Sequence, residues 1–169
     1  GSTDSHNSTP GDVEEYSADG CCLQDNSPET RLATGGPGAM KWPLRSAGGL
    51  MGIWATENSR DVLFDAMKAR ETFATTGPRI EPRFFGGWDI APTLCESNSL
   101  LSDAYASGVP MGSDLPPRGE NAGPPIFALS ALRDAGIASH PGGLLQRIQV
   151  VKGWVGDEGA THQAVYEVA

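Results

Sequence analysis

The alternation of apolar and polar positions predicts short elements separated by strong breakers. Leu50 to Ala55 is a compact apolar run and reads as a buried strand. The clearest helical periodicity follows in Val62, Leu63, Ala66, Met67 and Arg70, with Asn58 or Ser59 at the cap and Asp61 in the first turn. Gly77 and Pro78 are the expected stop. Arg79 to Phe85 reads as a strand ended by Gly86-Gly87, and a short helix is expected around Leu100–Ala106. Five prolines make Val109 to Pro125 a loop, before a strand over Ile126 to Leu132. Leu144 to Val155 alternates with period two, placing Ile148 and Val150 toward a core, and Ala164 to Val168 forms a last strand. Strands separated by turn signals favour a small antiparallel sheet or sandwich in this half. Gly11 to Ala47 lacks periodicity and contains Gly35-Gly36-Pro37-Gly38, a breaker.

Composition narrows this picture. The 169 residues include 22 glycines and 13 prolines, and 38% are hydrophobic, which predicts a loop-rich globular chain with a modest core. A net charge of −9 disfavours nucleic acid and anionic membranes as partners, and no apolar stretch is long enough to span a membrane. Seven acids crowd the first 30 residues, an imbalance that draws cations or marks a solvated loop. A structural calcium site there would use oxygen ligands alone. Cys21, Cys22 and Cys95 are too few for a disulfide framework; free thiols are expected over a bridge from Cys21 or Cys22 to Cys95.

The candidate chemistry is concentrated in Asp4-Ser5-His6. Residues two apart on a strand share a face, so the Asp4 carboxylate and the His6 imidazole can reach one divalent ion. That ligand pair suits zinc, manganese or iron. Two ligands do not complete a site. The chain also begins without methionine and ends within an apparent strand, so it is expected to be the C-terminal part of a larger metalloprotein.

Gly-Ser-Thr-Asp-Ser-His-Asn at residues 1–7, Gly49-Leu50 with Trp54 to Arg60, and Arg70 to Ile80 follow one another in that order. Arg83 to Asp89 and Leu145 to Trp154 add to the pattern. Together they resemble the end of a metallohydrolase domain of the polymerase and histidinol phosphatase (PHP) superfamily, closest to a bacterial family of uncharacterised PHP-like proteins. The resemblance implies an α+β fold, in which terminal strand–helix units of a PHP-type α/β barrel (residues 1–78) precede a small antiparallel β-rich extension (residues 79–169). It implies a metal-dependent hydrolase that cleaves an ester, amide or phosphoester of a small-molecule substrate through metal-activated water. Asp4 and His6 would be metal ligands.

Further roles follow from placement. Glu57 and Asn58 would leave the C-terminal end of a parallel barrel strand, where such folds build their sites. Glu57 is the candidate catalytic side chain, Asn7 and Asn58 are candidates to support the ligands, and Arg79 is a candidate for binding an anionic substrate. The competing reading of each is a cap or a solvated charge. His140 and His162 lack ligand spacing and read as loop or surface residues. Unpaired sheet edges would make this segment join the rest of its own protein or self-associate, and alone it is expected to be inactive. The alternative is a β-rich binding or structural module without catalysis. Compartment does not follow from these residues.

Overall fold

A computed structural model describes residue 1 and residues 49–169. Strand β1 (Met51–Ile53) leads through Trp54 to Ser59 into helix α1 (Arg60–Lys68), which is followed directly by β2 (Thr72–Ala74). Val62, Leu63 and Ala66 form the half-buried face of α1, as the periodicity requires, and Ser59 occupies the N-cap position without a side-chain cap bond.

The helix ends nine residues before Gly77. Arg70 takes the left-handed conformation at φ 63°, its N–H donates to the Met67 carbonyl, and the Glu71 N–H donates to the Ala66 carbonyl. Those two bonds form a Schellman cap built on arginine, where glycine is usual. Glu71 then leads into β2, where β-branched Thr72 and aromatic Phe73 suit a strand and Ala74 completes it opposite Met51.

This turn overturns the expected barrel. The Trp54 N–H donates to the Glu71 carbonyl at 2.9 Å, so residues 54–71 leave and return at the same end of the sheet. β2 therefore runs antiparallel to β1, with Ile53 opposite Thr72. A parallel strand requires a crossover that carries the chain back to the other end. The described residues form small antiparallel sheets with two short α-helices, without a closed barrel, so the PHP-type α/β barrel is not what this segment builds.

The main sheet has the order β4–β3–β5, from β3 (Glu81–Gly87), β4 (Val109–Pro110) and β5 (Ile126–Leu132). Its core is Phe85, Ile90, Leu94, Ala104 and Ala128, with Leu100 and Ile126 packed against it. Phe85 and Ala128 are cross-strand partners on one face. A single 3₁₀ turn (Leu94–Glu96) and helix α2 (Leu100–Ser107) cover that face, supplying Leu94 and Ala104. On the other face Phe127 lays its ring over Gly86 and stacks on Phe84, with centroids 5.5 Å apart.

The glycines expected to end β3 lie inside it. A Cβ on Gly87 would sit 2.8 Å from the Ser107 carbonyl oxygen and 2.9 Å from Ile90 Cγ1, so the absent side chain lets α2 cross close to the strand. Two hairpins complete the chain. β6 (Gly136–Ile137) pairs with β7 (His140–Pro141), and β8 (Gln149–Val155) pairs with β9 (Thr161–Glu167). Ile148 and Val150 are half-buried between exposed neighbours, so the alternation holds, although this hairpin adds no side chain to the core.

Candidate functional site

Trp54 joins the β1–α1–β2 unit to the main sheet. It leaves β1 as a half-buried indole whose Nε1–H donates to the Pro82 carbonyl at 3.1 Å. Phe73 of β2 packs on one side at 5.2 Å between centroids. The Arg83 guanidinium of β3 covers the ring at 3.4 Å. A cation at that distance is attracted by the negative face of the π-system.

The Arg83 interaction continues into a polar chain. Arg83 Nη1 donates to the Tyr105 hydroxyl at 3.3 Å, and that hydroxyl donates to Glu71 Oε2 at 2.8 Å. Partial burial raises the Tyr105 pKa, and the hydrogen bond and negative charge of Glu71 raise it further against the opposing effect of Arg83. Tyr105 also meets Phe85 edge-on at 5.0 Å, which fixes the phenol against the core.

Two grooves flank Trp54. One, of about 340 Å³, lies between α1 and β3 and is lined by Trp54, Thr56, Val62, Glu71, Arg83 and Tyr105. The other, of about 280 Å³, runs along β1 and β2 past Trp54, Phe73 and Thr75 to Arg79 and Glu81. Leu50 forms part of its wall, and Gly1 lies against Leu50 and Ala74. The first volume is at the small end of the range for small-molecule sites and the second lies just below it.

The sequence-predicted residues separate into three groups. Asp4, His6 and Asn7 lie outside the described residues, as do Cys21 and Cys22; the Cys95 thiol is exposed and unbridged. Glu57 and Asn58 are exposed on the bend before α1, at the end of an antiparallel strand instead of a parallel one. Asn58 is not the cap, which is Ser59. Arg79 does line the second groove, and its backbone N–H donates to Asp134 Oδ2 at 2.8 Å. That bond and a second from the Gly136 N–H hold the Asp134 carboxyl below the usual range.

His140 and His162 are exposed; His162 stacks on Trp154. Among the described residues no group of three His, Cys, Asp or Glu side chains could hold a metal ion. Nor is any described helix long and apolar enough to cross a membrane. Sequence reasoning passed over Glu71, Arg83 and Tyr105 because they are spread over 35 positions and meet only through the fold.

Residues 1–169 match the model of a family described as a protein of unknown function, DUF3604. The chain belongs to the DUF3604 family. No curated protein and no solved structure matches this DUF3604 chain. The DUF3604 match spans the residues of both the Asp4-Ser5-His6 motif and the Trp54 grooves. It carries no activity with it, and it does not itself connect the chain to PHP hydrolases.

Proposed function

We propose that this DUF3604 protein is a metal-dependent hydrolase acting on an ester, amide or phosphoester of a small molecule. The observation that carries the reading is Asp4-Ser5-His6, a carboxylate and an imidazole at same-face spacing within a run that resembles the PHP-type metal motif. Asp4 and His6 would hold a zinc, manganese or iron ion, and such an ion supplies water activation and polarisation of the scissile bond. The reading concerns the chemistry and requires no barrel from the described segment.

One placement supports it. Arg79 lines the second groove beside Glu81, and a guanidinium there suits an anionic group of a substrate. Glu57 is exposed and would have to be recruited by substrate or by other parts of the protein.

The small antiparallel sheets of the described residues favour a second reading, a non-catalytic β-rich binding or structural module. Metal analysis by mass spectrometry of the full-length protein, beside an Asp4→Ala, His6→Ala double variant, separates the two. Stoichiometric zinc, manganese or iron that falls in the variant, with hydrolysis of phosphoester or carboxylester probes lost in parallel, supports the hydrolase. Metal-free protein, or metal indifferent to both residues, leaves the module.

A further inference from the structure

We infer that the groove between α1 and β3 binds a small zwitterion with an apolar body, of the kind represented by a free aliphatic α-amino acid. The inference requires no metal and stands apart from the hydrolase reading.

The groove carries one cation and one anion that are both half-buried and are not directly paired. Arg83 and Glu71 are separated by the Tyr105 hydroxyl, which accepts from Arg83 Nη1 at 3.3 Å and donates to Glu71 Oε2 at 2.8 Å. A guanidinium has five N–H donors and a carboxylate has about four acceptor sites, so this single bridge leaves most of the capacity of both groups open. Both hydrogen bonds are solvent-exposed, so the remaining donors and acceptors face the open groove, where the charged groups of a ligand can replace water.

The charge pattern selects the ligand class. A simple anion on Arg83 would be repelled by Glu71, and a simple cation on Glu71 would be repelled by Arg83. A carboxylate and an ammonium on one carbon satisfy both, with the carboxylate on the guanidinium and the ammonium on the free Glu71 oxygen. Trp54, already covered by Arg83, fixes that guanidinium in place. Val62, Ala66 and Ala55 line the remainder of the groove with short apolar side chains, which suit an aliphatic side chain of modest size. The volume of about 340 Å³ admits a molecule of this class.

Isothermal titration calorimetry on the full chain tests this with three probes that share one carbon skeleton: L-leucine, 4-methylpentanoate and 3-methylbutylamine. Leucine is expected to bind at least tenfold tighter than either single-charge analogue. Arg83→Gln and Glu71→Gln should each weaken leucine by tenfold or more. Glu71→Gln should also remove the preference for leucine over 4-methylpentanoate. Equal binding of leucine and 4-methylpentanoate overturns the zwitterion assignment, and no binding of any probe overturns the site. Should a variant fail to fold, the wild-type comparison of the three probes still decides, because the analogues alone separate the two charges.

Discussion

The guanidinium carbon of Arg83 sits 3.4 Å from the centroid of the Trp54 ring, and this contact ties the β1–α1–β2 unit to the main sheet. Lysine would keep the charge but lose the planar face and the reach to Tyr105. Arg83→Lys is therefore expected to cost about 1–2 kcal/mol. Trp54→Ala, which also removes the Phe73 contact and the bond to Pro82, should cost about 3 kcal/mol. Urea titration of each single variant and of the pair measures the coupling. Strictly additive losses would mean that the stack contributes nothing of its own.

Tyr105 links stability to alkaline pH. Its folded pKa lies above 10.0, chiefly through burial and then through Glu71, so the folded state holds the phenolic proton more tightly than the unfolded chain does. The contribution is complete below the unfolded value and is lost as pH rises through the folded one. Ultraviolet titration should show Tyr105 ionising above the ordinary tyrosine value, and Glu71→Gln should bring it back toward that value. A late tyrosine that ignores the Glu71 substitution would contradict the hydrogen-bonded assignment.

Asp134 has the opposite sign. The Arg79 and Gly136 N–H groups hold its folded pKa below 3.8, so it stabilises the fold above its unfolded pKa, and that contribution is lost as pH falls through the lowered folded value. Asp134→Ala is expected to flatten the acid limb of a thermal-melting profile while changing the plateau near neutrality by only about 1 kcal/mol. An unchanged acid limb would show that other carboxylates govern it.

Close backbone approach makes Gly87 intolerant of a side chain. Gly87→Ala places a Cβ within 3 Å of the Ser107 carbonyl oxygen and Ile90 Cγ1, and a loss of about 1–3 kcal/mol is expected. Gly119→Ala and Gly123→Ala, which meet nothing within 4 Å, serve as controls and should melt like the parent. Comparable melting of all three would place α2 further from β3 than described here.

Arg70 gives a stabilising prediction. Its φ of 63° strains an L side chain at the end of α1, and glycine relieves that strain. Arg70→Gly is expected to gain about 0.5–1 kcal/mol, the relief being partly offset by the greater freedom of glycine in the unfolded chain. Chemical denaturation reads the gain directly, and a loss would mean that Arg70 makes a contribution larger than its backbone strain.

Several elements were legible in the sequence. The Ile126–Leu132 strand, the Leu100 helix and the apolar face of α1 each rest on a local pattern that the tertiary structure preserves. The end of α1 was not legible, because Gly77 carried the conventional stop signal while Arg70 adopts the left-handed conformation itself. β2 was hidden for the same reason, because Thr72–Ala74 lie before the expected stop at Gly77 and so read as part of the helix. A strand followed by a helix reads alike whether the chain returns to the same end of the sheet or to the other.

The site divides along the same line. Asp4-Ser5-His6 is a local motif, and its residue types and spacing are fixed by sequence order alone. The arrangement of Trp54, Glu71, Arg83 and Tyr105 exists only in three dimensions, since each residue taken singly reads as an ordinary aromatic or a solvated charge. Hydrophobic periodicity and turn chemistry act over a few residues, and so the sequence by itself determined most of the elements. Strand direction, the approach of α2 to Gly87 and the hydroxyl bridge between Arg83 and Glu71 depend on contacts between distant segments, and the tertiary structure alone decided them.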